Sequence, residues 1–306
     1  MTPKRNKLTM VLPGLLAALA AVPVAAQVVF EGYSAYHHIR VVDRGGLRVL
    51  QFNDSEETRM SLHNPLQGHF EYTEYFHLPW LWNTNIQRVL MLGLGGGSIQ
   101  RAYLHHYPQV NLETAELDPA VIAVAAKYFG ITESPRHKIH SSDGRVFLRR
   151  HSTVYDVIIV DAYTTTRYGP SLPSHLTTRE FFTLASARLG TNGVLAYNVI
   201  GRMSGWQAGL VGSLHRTMRT VFPRVYLFPA NESENVVLVA TKTDLALTYA
   251  QAQRLGTERV RSGTVRFPNF ALRLRNFVSD TPPGFANGLV LTDDYAPVEG
   301  LMQPTR

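Results

Sequence analysis

The sequence predicts an α/β fold: a mostly parallel sheet with an antiparallel strand at its end, preceded by a small β domain. From Gln87 onward, short apolar runs alternate with longer amphipathic segments, the pattern of parallel strands joined by helices. Between Val28 and about Leu62 the apolar runs are short and separated by turn residues, which is typical of antiparallel strands. The last two apolar runs, 224–228 and 235–241, follow each other through a polar turn without a helix between them. They should therefore form an antiparallel hairpin.

Individual elements follow from the same patterns. In the N-terminal part, VVFEGYS, HHIRVV, LRVLQF and TRMSL are predicted strands, with a hairpin turn at 43–46. An aromatic-rich stretch at 70–82 has the spacing of a helix that packs onto the next domain. Beyond it, the predicted strands are 88–92, 110–115, 137–141, 155–160, 193–200, 224–228 and 235–241. The predicted helices are 98–107, 119–129, 178–189, 205–221 and 246–256.

A parallel sheet that ends in an antiparallel hairpin is the arrangement of Rossmann-like methyltransferases. Three segments result from this organisation. Residues 1–26 are predicted to be a signal peptide or membrane anchor. Residues 27–83 form the small β domain with its linking helix, and residues 84–306 form the Rossmann-like domain.

The first residues have the pattern of a targeting segment. Lys4, Arg5 and Lys7 precede an apolar run that closes with small residues at Ala26. Export with cleavage after Ala26 predicts a periplasmic or secreted protein. An uncleaved membrane anchor over residues 8–30 is the alternative, because that run is long enough to span a bilayer. If the segment does not work as a signal, the protein is expected in the cytoplasm.

Composition excludes several classes of function. The formal charge is +7, and without the three basic residues before the apolar run it is +4. This balance is too small and too spread out to predict a nucleic-acid partner. The absence of cysteine excludes disulfides, thiolate nucleophiles and thiolate zinc sites. The twelve histidines show no HExxH or comparable ligand spacing, so no metal site is predicted.

A glycine-rich turn at 89–98, VLMLGLGGGS, is the strongest local signal. A buried apolar strand leads into Gly93, Gly95 and Gly97, and a helix begins near Ser98. Glycines suit such a turn because the backbone bends sharply and a ligand can approach where no Cβ stands in the way. Many structural turns share this composition, so the turn alone does not establish a binding site.

Four acidic residues follow the ends of successive predicted strands. Glu116 comes about 20 residues after the glycine turn, where a carboxylate that binds ribose hydroxyls is expected. Asp118 either contacts the ligand or caps the next helix. Asp143 and Gly144 either hold an adenine amino group or form a plain turn. Asp161 ends the fourth strand, at the edge where α/β sheets bind ligands, although a capping role is also open.

The order of glycine turn, Glu-x-Asp, Asp-Gly, strand-end Asp and a Gly-Pro pair resembles the spermidine synthases, the polyamine aminopropyltransferases. The resemblance covers roughly residues 40 to 200, and LTDDYAPVE at 291–299 is similar to the ending of spermidine-synthase-like proteins with membrane-associated N-termini. It implies decarboxylated S-adenosylmethionine, or S-adenosylmethionine, as co-substrate and a small amine as acceptor. It also implies a homodimer formed through the β domain.

The resemblance assigns roles to individual residues. Asp161 would be the catalytic proton acceptor. The implied cofactor-binding residues are Gly93, Gly95, Gly97, Glu116, Asp118, Asp143 and Gly144. The implied substrate-binding residues are Tyr72, Tyr163 and Pro170.

Several positions depart from the family pattern, mostly on the amine side of the site. Gly96 replaces an acid of the glycine loop, Thr164 replaces the second Asp of DxxDP, and Thr73 replaces the His of Tyr-His-Glu. A family glutamine has no clear counterpart, and its neighbourhood is occupied by Glu56, Glu57 and Arg59. A pocket that lacks the two carboxylates replaced by Gly96 and Thr164 should bind a doubly charged diamine more weakly, so the acceptor need not be putrescine. An S-adenosylmethionine-dependent methyltransferase and a non-catalytic nucleoside-binding protein are the alternatives.

Overall fold

The computed structural model describes residues 26–53, 55–166, 169–205, 208–279, 284–285 and 287–302. Of the predicted signal peptide, residues 1–26, only residue 26 is described. Of the alternative anchor over residues 8–30, residues 27–30 belong to a β-strand, Gln27–Tyr33, and residues 8–25 lie outside the described residues. No helix within the described ranges is long and apolar enough to cross a membrane.

The N-terminal domain is a four-stranded antiparallel sheet with strands in sequential order. Its strands are β1 (Gln27–Tyr33), β2 (His38–Arg44), β3 (Leu47–Phe52) and β4 (Ser55–Ser61). Gly45 and Gly46 connect β2 to β3, with φ values of 55° and 76° that L side chains rarely adopt. Two such residues form the tight turn that matches the twist of a hairpin, so the predicted hairpin is confirmed.

The second domain is built on a seven-stranded sheet with the order β12-β13-β11-β8-β5-β6-β7. Five of its strands are parallel, and β13 runs antiparallel to both of its neighbours, as the sequence predicts. A separate two-stranded hairpin, β9 with β10, follows β8. The strands are β5 (Arg88–Leu92), β6 (Asn111–Glu116), β7 (His137–Ser141), β8 (Tyr155–Val160), β9 (Thr164–Thr166), β10 (Gly169–Ser171), β11 (Leu189–Ile200), β12 (Arg224–Pro229) and β13 (Asn235–Thr241).

Helices cover both faces of this sheet, as parallel crossovers require. The α-helices are α1 (Ser98–His106), α2 (Pro119–Phe129), α3 (Gly144–Arg150), α4 (Arg179–Ala187), α5 (Ala208–Arg219), α6 (Tyr249–Arg261), α7 (Phe270–Arg273) and α8 (Val298–Leu301). Short 3₁₀ helices are Glu71–Leu81, Ser174–Leu176 and Leu274–Asn276.

The small β sheet packs onto α2 of the larger domain. Ile39, Val41 and Leu50 form one cluster with Val121 and Phe129. Burial of this apolar surface holds the sheet above the carboxyl ends of the parallel strands. The contact therefore makes the β domain one wall of the region in which α/β sheets bind ligands.

The linker at 70–82 is a 3₁₀ helix, Glu71–Leu81, and all of its residues are buried. It contains Pro79, which lacks the backbone N–H that an α-helix would use. It packs on the sheet through Tyr75 and Phe76, in one cluster with Val237. A helix buried on every side lacks the polar face that marks a surface helix, which makes its exact type hard to predict.

Several short elements were not predicted from the sequence, among them α7, α8 and the 3₁₀ helix Leu274–Asn276. The seven-residue α3 is too short to show a helical period, and its start depends on a cap from Asp143. The predicted loop after β8 contains the hairpin of β9 and β10 and the short helix Ser174–Leu176.

Candidate active site

A single cleft of about 400 Å³ lies between the β domain and the carboxyl ends of β5, β6 and β8. It is lined by residues from both domains, including the aromatic residues Tyr36, Phe52 and Phe70. All but one of the residues proposed from the sequence to bind cofactor or substrate line this cleft, and the exception is Gly97.

The glycine turn brings backbone to the floor of the cleft. Gly93 has a φ of 105°, and a Cβ built there would lie 2.1 Å from the carbonyl oxygen of Asp161. Gly95 has a φ of 53°, and its Cβ would lie 2.9 Å from Thr58 Oγ1. Both positions therefore require glycine, and they leave room for a ligand close to the main chain.

Gly97 is predicted from the sequence to bind the cofactor, but it does not line the cleft. It is the N-cap of α1 in a left-handed conformation, and a Cβ there would lie 2.4 Å from Ile131.

The surroundings of Gly96 explain one departure from the family pattern. Its N–H donates to Thr58 Oγ1 at 2.9 Å, and a Cβ would lie 2.7 Å from Thr58 and 2.9 Å from Phe129. The acid that the family carries here would have no room.

Glu116 ends β6 beside the glycine turn. Its Oε2 accepts the N–H of Leu94 at 2.9 Å, and its Oε1 accepts the N–H of Asp118 at 2.9 Å. Burial raises the pKa of Glu116 to about 7, although these backbone hydrogen bonds lower it in part. A carboxylate oxygen has two lone pairs, so each oxygen can accept a further hydrogen bond from vicinal hydroxyls.

Asp118 and Asp143 line the cleft and also cap helices. Asp118 accepts the N–H of Ala120 at 2.9 Å and the hydroxyl of Ser34 at 2.5 Å. Asp143 accepts a backbone N–H of α3 at 2.8 Å and lies 2.8 Å from Nε2 of His175. Burial alone would raise the pKa of Asp143, but the His175 contact and the backbone N–H lower it overall.

The capping alternative is thus realised for Asp118, and Asp143 caps α3 where a plain turn was the predicted alternative. The adenine contact of Asp143 stays a prediction. Gly144 follows Asp143 and also lines the cleft. A Cβ at Gly144 would lie 3.0 Å from the Leu92 side chain, so this position also favours a residue without a side chain.

Asp161 follows β8 and projects into the cleft at the centre of a polar network. Its Oδ2 accepts the Tyr72 hydroxyl at 3.2 Å, and its Oδ1 accepts Nδ2 of Asn198 at 2.9 Å. Asn235 Nδ2 donates to Asn198 Oδ1 at 3.1 Å and approaches the Tyr163 hydroxyl at 3.5 Å. Burial raises the pKa of Asp161 to about 6, while the hydrogen bonds from Asn198 and Tyr72 oppose the rise.

Tyr72 is held in place by a buried ion network on its own 3₁₀ helix. Arg273 of α7 contacts Glu71, and its Nε lies 2.5 Å from Glu74 Oε2. Asn269 also donates to Glu74 at 2.9 Å. Removing Arg273 would leave two buried carboxylates without their shared guanidinium, so the network fixes the helix that carries Tyr72.

The outer part of the cleft is formed by the segment after β8. Tyr163, Thr164 and Pro170 line it, and Thr164 is exposed. Thr73, which replaces the family histidine, donates its hydroxyl to a backbone carbonyl of its own turn at 2.8 Å. Across the described residues, no group of three potential ligands suited to a metal ion occurs.

Sequence reasoning missed Asn198, Asn235 and Thr58, and it gave Glu57 no role. Asn198 is 1% exposed inside the apolar strand β11, and a polar residue in such a run is a signal that a hydrogen-bond partner lies nearby. Glu57 and Thr58 reach the cleft from β4. Their contacts join distant parts of the chain, and no local pattern indicates them.

Comparison with known proteins identifies the family. The spermine/spermidine synthase domain matches residues 69–244, more than half of the chain. The chain belongs to this family. A polyamine aminopropyltransferase of Vibrio vulnificus (strain CMCP6) is 30% identical over 261 residues, which cover 82% of this chain and 83% of the relative. The family is therefore one of transferases.

Solved structures establish the fold. Spermidine synthase from Thermotoga maritima has a TM-score of 0.65 and 24% identity, covering 85% of this chain and 86% of that one. The same values hold for a spermidine synthase in complex with the transition-state analogue AdoDATO. Human methyltransferase-like protein 13 in complex with SAH has a TM-score of 0.54 and 22% identity, covering 64% of this chain and 92% of that one. The predicted Rossmann-like fold is confirmed.

Proposed function

We propose that this protein moves an aminopropyl group from decarboxylated S-adenosylmethionine to an amine, with Asp161 as the proton acceptor. The residues of the cleft fit an adenosyl ligand. Gly93 and Gly95 expose backbone where a Cβ would intrude, and Glu116 offers a carboxylate beside them. The observation that carries the proposal is the position of Asp161 in this same cleft, with its pKa raised to about 6.

The chemistry requires a base at that position. A primary amine has an ordinary pKa of about 10, so at neutral pH it is almost wholly protonated and has no free lone pair. A carboxylate with a pKa near 6 is about nine-tenths ionised at pH 7 and still accepts protons better than an ordinary aspartate. Its negative charge also stabilises the positive charges of the amine and the sulfonium.

In the proposed step, the amine nitrogen attacks the methylene carbon beside the sulfonium. The N–C bond forms as the C–S bond breaks, and both electrons of the C–S bond stay on sulfur. Asp161 takes one proton from the ammonium before the attack, which frees the lone pair of the nitrogen. Methylthioadenosine then leaves as a neutral molecule, and the product is a protonated secondary amine. Tyr72 and Asn198 each hold one oxygen of Asp161, so the carboxylate is oriented before the amine arrives.

A donor without a carboxylate suits the reaction end of the cleft. Asp161 and Glu57 both line it, so the carboxylate of S-adenosylmethionine would meet like charges there. Aminopropyl transfer is therefore favoured over methyl transfer, in agreement with the named Vibrio relative.

Titration calorimetry and a turnover assay together test this proposal. We expect decarboxylated S-adenosylmethionine and methylthioadenosine to bind more tightly than S-adenosylmethionine. We expect the wild type to release methylthioadenosine when putrescine or another amine is added. Asp161→Asn should retain nucleoside binding and lose roughly 10²–10⁴-fold in turnover, the usual contribution of a general base.

Two results would count against the proposal. Preferential binding of S-adenosylmethionine, with transfer of its methyl group, would indicate a methyltransferase. Nucleoside binding without turnover of any amine would indicate a non-catalytic binding protein.

A further inference from the structure

Glu57 is a carboxylate in the cleft that the proposed mechanism does not use. It lies on β4 and lines the same cavity as Asp161, Tyr72 and Tyr163. Its neighbour Glu56 instead forms an ion pair with Arg44 on the outside of the sheet. Glu57 is the extra residue of a β-bulge, because Glu56 pairs with Gln51 and Thr58 pairs with Leu50. The two adjacent glutamates are a matched pair, since Glu57 lines the cleft and Glu56 does not.

Within the described ranges, no Lys, Arg or His side chain lies within ion-pairing distance of Glu57 or Asp161. Burial raises the pKa of Glu57, a hydrogen bond from Ser55 opposes the rise, and the charge of Asp161 adds to it. Two partly buried carboxylates thus line one cavity, and neither has an ion-pair partner in the described part of the chain. Such an arrangement is costly unless a positive ligand enters.

Aromatic side chains also line the cavity, among them Phe70, Tyr72 and Tyr163. A cavity with aromatic walls and carboxylates suits the methylene chain and charged head of an alkylammonium ion. The hydroxyl of Tyr72 is already donated to Asp161, so this ring contributes its apolar surface.

We propose that Glu57 binds a protonated primary amine of a substrate while Asp161 accepts the proton of the reacting amine. This inference rests on the proposed function and names a residue that determines its substrate class. Glu57 thereby restores a negative charge to a site in which Thr164 and Thr73 stand where the family resemblance leads one to expect Asp and His. The alkylammonium belongs either to the far end of a diamine acceptor or to the aminopropyl group of the donor.

Glu57→Gln tests the proposal because it removes the charge and keeps the shape. The control is Glu56→Gln, which removes the adjacent charge outside the cleft. Calorimetry measures 1,4-diaminobutane and 1-aminobutane binding to protein saturated with methylthioadenosine. It also measures decarboxylated S-adenosylmethionine and methylthioadenosine binding to the free protein.

One charge-assisted hydrogen bond corresponds to a roughly 10- to 100-fold change in affinity. If the ammonium comes from the acceptor, Glu57→Gln weakens the binding of 1,4-diaminobutane by this factor and leaves the affinity for 1-aminobutane unchanged. If the ammonium comes from the donor, the variant weakens the binding of decarboxylated S-adenosylmethionine by this factor and leaves the affinity for methylthioadenosine unchanged. Glu57→Asp should retain part of the lost affinity, and Glu56→Gln should behave as wild type.

The proposal is overturned if Glu57→Gln alters none of these affinities. It is also overturned if the variant weakens the binding of methylthioadenosine as much as the binding of the charged ligands. These binding measurements do not depend on turnover. Ammonium binding that needs Glu57 in a protein without aminopropyl transfer would refute the proposed function alone. Turnover that is unchanged in Glu57→Gln, with unchanged affinities, would refute this inference alone.

Discussion

Replacing Asp161 by Asn should raise the stability of the protein relative to wild type as pH increases, although it removes the catalytic carboxylate. Burial raises the pKa of Asp161 from its ordinary value of 3.8 to about 6. The folded state therefore binds this proton more tightly than the unfolded state. The resulting stabilisation is fully present below about pH 3.8 and is lost as pH rises through about 6. At 1.36 kcal/mol for each pKa unit, the loss amounts to about 3 kcal/mol.

The amide introduced by Asp161→Asn carries no charge, so the variant escapes this loss. The same substitution places an amide group against Asn198, and an unsatisfied contact there costs about 1–3 kcal/mol at every pH. The clean quantity is therefore the change with pH in the stability difference between variant and wild type. Between pH 4.5 and pH 8, that difference should shift in favour of Asp161→Asn by about 2 kcal/mol.

Urea unfolding of both proteins without ligand, at pH 4.5, 6 and 8, measures this shift. Asp294→Asn is the control, because Asp294 is exposed and its charge should matter little to folding. A stability difference between Asp161→Asn and wild type that stays constant across this pH range would refute the reasoning. So would a shift in the opposite direction.

Three further predictions follow from other contacts. Tyr72→Phe removes a hydrogen bond that lowers the pKa of Asp161. The acid limb of the pH profile of kcat/KM, expected near pH 6, should therefore move to higher pH. An acid limb that stays in place would contradict the role of Tyr72 in lowering this pKa. Gly93→Ala should lower the free energy of unfolding by about 2–5 kcal/mol in urea titrations, because the added Cβ would lie 2.1 Å from the carbonyl oxygen of Asp161. A variant as stable as wild type would show that the turn adjusts to a Cβ at low cost. Arg273→Met should lower the free energy of unfolding by about 3–5 kcal/mol, because it removes the arginine that two buried glutamates share. The control Arg254→Met, at an exposed position of α6, should change it little, and equal effects of the two substitutions would refute the anchoring role.

The strands and helices of the main sheet domain could be predicted from the sequence, because the patterns that mark them lie within each segment. Strand 155–160 is a continuous apolar run that ends in Asp161, and the structure has β8 at these residues. Helix α2 has a proline at its first position and a glycine after its last, and its predicted bounds 119–129 match. The ends of parallel strands meet at one edge, which is why Glu116 and Asp161 could be expected in one cleft.

Features that depend on contacts between distant residues could not be predicted in the same way. Gly97 has the composition of a ligand-binding turn, but its place in the cap of α1 is decided by packing against Ile131. Asn198 looks like an interruption of a strand until Asp161 is seen beside it. Glu57 reaches the cleft only because the β sheet packs on α2, a contact between domains.

The measurement that tests the central claim most directly uses decarboxylated S-adenosylmethionine labelled in its S-methyl group. The protein is incubated with this donor and an amine, and the products are separated by mass. Aminopropyl transfer predicts that all of the label remains in methylthioadenosine and that the amine gains an unlabelled aminopropyl group. Label found on the amine, or a donor that stays intact with every amine offered, would contradict the account.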